Sequence, residues 1–66
     1  MNITLNGERL DIAEGTSLES LIEGQGFELA RVIAEVDEHV VSKSDYDDYI
    51  LHEGADILVL SFVGGG

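Results

Sequence analysis

Residues 56–66 read Asp-Ile-Leu-Val-Leu-Ser-Phe-Val-Gly-Gly-Gly, or DILVLSFVGGG. From Asp56 to Val63 the stretch is apolar on both alternating faces save at Ser61, the pattern of a strand in the middle of a sheet. Alternation puts Ile57 and Val59 on one face and Leu58, Leu60 and Phe62 on the other. Three glycines follow directly. A strand this apolar needs neighbours, and the rest of the sequence supplies them.

Met1–Asn6 (MNITLN) alternates, with Met1, Ile3 and Leu5 on one face and Asn2, Thr4 and Asn6 on the other. Asn6-Gly7 suits a type I′ hairpin turn, because both residues tolerate positive φ. Glu8–Ile12 (ERLDI) alternates again with Leu10 and Ile12 inward, so a hairpin is expected at the start. Ala13-Glu14-Gly15 breaks the pattern. Thr16 stands three residues before Glu19, the spacing of a capping box. Leu18, Leu21 and Ile22 form the apolar stripe of a short helix, and Gly24 and Gly26 are expected to stop it. Gly24-Gln25-Gly26 ends a helix rather than opening one, and no Lys-Ser/Thr follows, so it is not a phosphate loop. Arg31–Val36 (RVIAEV) alternates with Val32, Ala34 and Val36 on one side. Asp37-Glu38 reads as a tight turn and Val40-Val41 as a short strand. Ser42–Tyr49 reads as a polar turn or single helical turn with Ser44 as its cap, and Gly54 marks another turn.

The order is strand, strand, helix, strand, short strand, strand. One helix laid across one face of a sheet packs this order economically. The expected fold is α+β, a mixed sheet of about five strands with one main helix packed on one face. The last strand should be central, with the first strand parallel beside it. Residues 1–63 are expected to form the domain and 64–66 a flexible glycine tail.

Composition narrows the function. The chain has 66 residues, 14 acids against 3 Lys plus Arg, and a net charge of −11. Arg9, Arg31 and Lys43 are scattered, so no basic cluster exists to displace counterions from DNA or RNA, and an anionic membrane would repel the surface. A partner with a basic face would be steered in. No cysteine is present, which removes disulfides, thiolate nucleophiles and zinc–cysteine sites. A domain this small leaves little interior for a dry active site, so function is expected on the surface or at a terminus rather than in a self-contained enzyme. No basic-then-apolar leader opens the chain and no apolar run spans a bilayer, so a cytoplasmic location is expected.

The tail is the informative feature. At a glycine usage of about 7%, three terminal glycines arise by chance in roughly 3 chains in 10,000. Glycine backbone can enter a slot too narrow for any side chain. The terminal carboxylate, with a pKa of about 3.5, is ionised and a poor electrophile at neutral pH. Activation as an acyl-adenylate would open it to a sulfur or amine nucleophile, and flanking glycines would leave that carbon unobstructed. The tail reads as a substrate handle whose catalysis belongs to a partner.

Here the residues match a family. MNITLNGE at 1–8, EGTSLESLIE at 14–23, HEGADILVLSF at 52–62 and the closing VGGG together resemble the ThiS family, the sulfur carriers of thiamine biosynthesis. The resemblance spans essentially the whole chain. It implies a ubiquitin-like β-grasp fold and no resident cofactor. It implies that an adenylyltransferase related to ubiquitin-activating enzymes (ThiF-like) uses Mg-ATP to adenylate the tail. A sulfurtransferase and cysteine desulfurase system then supplies sulfur, and thiazole synthase (ThiG-like) consumes it. Gly66 would bear the thiocarboxylate, Gly65 would be the second tail residue, and Gly64 would act as a spacer. Two loops depart from the family pattern: Asp37-Glu38 stands where Asn-Gly is common, and Ser42 where a proline is common.

If the helix covers Ile57 and Val59, then Leu58, Leu60 and Phe62 form an exposed apolar stripe leading to the tail, a candidate partner-docking surface. Asp45-Tyr46-Asp47-Asp48 is not an EF-hand loop, so the acids from Glu35 to Asp56 read as a solvated face. His39 and His52 lack the companions of a zinc site. Tyr46 and Tyr49 read as wedges closing the core, and no serine sits in a Gly-x-Ser-x-Gly setting. Competing functions are the small sulfur-carrier subunit of molybdopterin synthase, a ubiquitin-like protein modifier, and a non-covalent adaptor.

Overall fold

A computed structural model describes residues 1–62. Its strands are β1 (Asn2–Leu5), β2 (Glu8–Asp11), β3 (Val32–Val36), β4 (His39–Val41) and β5 (Asp56–Ser61), with one helix, α1 (Leu18–Gly24). They form a single mixed sheet in the order β2-β1-β5-β3-β4. β5 is central, as its composition predicts. β1 runs parallel to it, with Thr4 and Leu5 beside Asp56 and Ile57, and β3 runs antiparallel from Val36↔Ile57 to Val32↔Ser61. The expected boundary between domain and tail, at 63/64, lies outside the described residues.

Both short turns adopt positive φ at their two central residues, as type I′ geometry requires. Asn6 has φ 50° and Gly7 84°, while Asp37 has 51° and Glu38 72°. Asp37-Glu38 contains no glycine, and its left-handed backbone is held by tertiary contacts. The Asp37 N–H donates to the Asp56 carbonyl at 2.8 Å, and Asp37 Oδ1 accepts from the Asp56 N–H at 2.9 Å.

A helix of seven residues is too short to persist alone, so its apolar stripe carries it. Leu18, Leu21 and Ile22 are buried against Ile3, Val32, Ala34, Val36, Ile57 and Val59 from the sheet. The helix starts one residue later than the Thr16–Glu19 spacing predicts. Ser17 is the cap, its hydroxyl accepting from the Ser20 N–H at 3.1 Å, because Ser17 is still extended and bridges Ile50. Thr16 instead donates to the Ala13 carbonyl at 2.6 Å, closing the preceding turn. At the other end Gly24 is the last helical residue, and Gly26, with φ 90°, alone takes the left-handed position. Phe27 N–H to Ile22 O and Gly26 N–H to Glu23 O complete a Schellman motif.

The connection into β3 holds a 3-10 turn at Leu29–Arg31, and a second spans Lys43–Asp45. Ser42, not Ser44, sits at the start of the second, and its side chain makes no capping bond. Tyr46, just beyond, is buried, and its hydroxyl accepts the Ala34 N–H at 3.0 Å, satisfying a backbone donor inside the core. Tyr49 packs at the edge of the same cluster.

Candidate functional site

The helix covers only one face of the sheet. On β5, Ile57 and Val59 point into the core, at 0% and 4% exposure, while Leu58, Leu60 and Phe62 keep 40%, 47% and 52% on the opposite face. The structure therefore brings together the three residues that alternation singled out. It adds two. Ile33 lies directly opposite Leu60, and Val40 on β4 shares a row with Glu35 and Leu58. Both are exposed. Ile33 was legible in the β3 alternation, being out of phase with Val32, Ala34 and Val36. Together they form an exposed apolar patch on the uncovered face of the sheet.

The rim of this surface is acidic. A groove of about 320 Å³ crosses its β5 entrance, lined by Asn6, Gly7, Glu35, Glu38, Asp56, Ile57 and Leu58. An apolar centre with carboxylates along one border suits a partner with apolar contacts flanked by cations.

β5 is braced from both sides by turn residues. Asp37 holds its start, as described. Asn6 reaches its middle: Asn6 Oδ1 accepts from the Val59 N–H at 2.8 Å and Nδ2 donates to the Val59 carbonyl at 3.3 Å. Sequence reading placed Asn6 at the end of the first strand and in the turn but not against β5, because a contact across 53 residues leaves no local signal.

Asp37 also meets His52, whose Nε2 lies 2.8 Å from Asp37 Oδ2 while its Nδ1 lies 3.0 Å from the Glu53 carbonyl. Acceptors on both sides suit the doubly protonated ring. The bond to Asp37, then the one to the Glu53 carbonyl, hold the His52 pKa above its usual 6.5. The Asp56 N–H, then His52, hold the Asp37 carboxyl below its usual 3.8. The pair pins the β3–β4 turn to the approach to β5.

Among the described residues no cluster of three or more His, Cys, Asp or Glu side chains could hold a metal ion. No helix among them is long and apolar enough to cross a membrane. Gly64, Gly65 and Gly66, the sequence-based candidates for the reacting tail, lie outside the described residues.

Known proteins resemble this chain in both fold and sequence. A crystal structure of a thiamine biosynthesis protein (ThiS) from Geobacter metallireducens superposes with a TM-score of 0.83 at 26% identity, covering 100% of both chains. An NMR structure of a thiamine biosynthesis protein from the same organism gives 0.79 at 29% identity, covering 100% of this chain and 88% of that one. The five-strand mixed sheet with one helix is thus a ubiquitin-like β-grasp domain, the class of small carriers and modifiers. The ThiS family model matches residues 3–66, and the chain belongs to that family. The chain is also similar over all 66 residues to two proteins named thiazole synthase: 42% identical to that of Magnetococcus marinus and 27% to that of Paramagnetospirillum magneticum. It spans 20% of the length of each.

Proposed function

We propose that this chain carries sulfur as a thiocarboxylate on Gly66 and delivers it for thiazole formation. The observation that carries the reading is the family match through residue 66, which takes in the glycine tail. In the first step an oxygen of the Gly66 carboxylate attacks the α-phosphorus of ATP and pyrophosphate leaves, giving an acyl-adenylate. Mg-ATP is the substrate of the partner adenylyltransferase. In the second step the outer sulfur of a protein persulfide, supplied by a cysteine desulfurase and sulfurtransferase system, adds to the Gly66 carbonyl and AMP leaves, giving an acyl disulfide. A thiol reductant then attacks the partner's sulfur in that disulfide, forms a new disulfide with it and releases the acyl sulfur. The product is the acyl C(=O)–S⁻ group. Gly65 and Gly64 keep the approach free of side chains.

Docking uses Leu58, Leu60 and Phe62, with Ile33 and Val40 beside them. The apolar face gives contact area, and the carboxylates around it steer a basic partner surface. Thiazole synthase is the acceptor that the comparisons favour, since two proteins of that name contain a region similar to this whole chain. The chain supplies no catalytic group of its own in this scheme.

The test is ATP–pyrophosphate exchange by the cell's own ubiquitin-activating-like adenylyltransferase. Exchange that depends on this chain and stops when one leucine is appended after Gly66 supports the reading. Exchange unaffected by the extra residue overturns it. Transfer of the activated chain to lysines of other proteins would instead indicate a modifier, and stimulation of molybdopterin synthase the related carrier role.

A further inference from the structure

We propose that Asn6 is a positioning residue for the tail, in addition to forming the first hairpin turn. The inference rests on the tail being the reacting group. β1 stops at Leu5, opposite Ile57, whereas β5 continues to Ser61. The last main-chain rung between them is the Asn6 N–H to the Ile57 carbonyl, at 2.8 Å. In a continuing parallel ladder the next β5 donor, the Val59 N–H, would meet the Asn6 carbonyl. The type I′ turn ends the strand at Asn6, and the side-chain amide takes over. Oδ1 receives the Val59 N–H and Nδ2 donates to the Val59 carbonyl, at 2.8 Å and 3.3 Å. One amide thereby stands in for two missing main-chain groups.

The turn does not need this amide, since glycine satisfies positive φ equally well. What the amide adds is a second support for β5 beyond the end of β1. On the β3 side the strand is held as far as the Phe62 N–H, which donates to the Arg31 carbonyl at 2.7 Å. With Val59 held on the β1 side and Phe62 on the β3 side, the end of β5 that precedes the tail is fixed within the sheet. Leu58, Leu60 and Phe62 stay attached through β3 whether or not Asn6 is intact. Loss of the Asn6 amide therefore perturbs presentation of the tail rather than docking.

The test compares wild type with Asn6→Gly, which keeps the turn and deletes both bonds, and Asn6→Asp, which keeps the acceptor and loses the donor. Amide exchange at Val59 should speed about tenfold in Asn6→Gly, the effect of one typical net hydrogen bond. In adenylation by the activating enzyme, kcat should fall about tenfold while KM for the carrier holds, with Asn6→Asp between the two. A folded Asn6→Gly chain with wild-type kcat overturns the positioning role, as does unchanged Val59 protection. A wild-type chain that is not adenylated at all overturns the proposed function itself, so the two failures are distinguishable.

Discussion

Replacing Leu60 by glutamate separates docking from folding. Complete burial of a leucine side chain is worth ~1.5–3 kcal/mol. Leu60 keeps 47% of its surface exposed, so about half of that, ~0.7–1.4 kcal/mol, is still to be gained on contact with a partner. A carboxylate buried there without a cation costs a further ~2 kcal/mol or more. The sum, ~3 kcal/mol, corresponds to a loss of about a hundredfold in affinity at 1.4 kcal/mol per decade. Folding should barely notice. The side chain lies off the core, and the variant forfeits the cross-strand pair with Ile33, worth ~0.2–1 kcal/mol. The assay is kcat/KM for adenylation measured across carrier concentration, with a thermal melt of the variant in parallel. The expected result is a native-like melt with kcat/KM down about a hundredfold, carried mainly by KM. A folded Leu60→Glu chain adenylated as well as wild type would refute the reasoning and remove the outer face as the docking surface.

Other perturbations test the fold around that face. Tyr46→Phe should cost ~1–3 kcal/mol in urea denaturation, because it strands the buried Ala34 N–H. Ser17→Ala should cost ~1 kcal/mol as a lost helix cap, measured the same way, and Thr16→Ala less, since the hydroxyl that accepts from the first turn is that of Ser17. His52→Gln tests the pair with Asp37 through pH. The His52 pKa is raised, so its stabilisation is complete below the unfolded value of 6.5 and fades as pH rises through the folded value. The Asp37 pKa is lowered, so its stabilisation is present above 3.8 and fades as pH falls through the folded value. The melting-temperature gap between wild type and His52→Gln should therefore be widest between those two values and narrow on the alkaline side. A gap that grows with pH would contradict the assignment.

The sheet was readable in the sequence because its signals are local and redundant. DILVLSFV marks a central strand by itself, Asn6-Gly7 encodes a turn, and the phase of Val32, Ala34 and Val36 chooses the buried face of β3. Leu58, Leu60 and Phe62 followed from that phase together with the presence of a single helix. Cap positions were less legible. Thr16 and Ser17 are both competent caps, and the choice between them was made by the extended pairing of Ser17 with Ile50, 33 positions away. At the second 3-10 turn Ser42 rather than Ser44 holds the N-terminal position, and its side chain makes no capping bond. The braces on β5 were not legible at all. Asn6 to Val59 and Asp37 to Asp56 and His52 join residues that only the folded sheet brings together.

Intact mass spectrometry of the chain, taken from cells in which the thiazole branch is running, addresses the central claim most directly. The expected species has exchanged one oxygen for one sulfur, the change placed at Gly66 by fragmentation and discharged on incubation with thiazole synthase. A chain that keeps its carboxylate oxygens under those conditions, with thiazole still being formed, would contradict the proposed role.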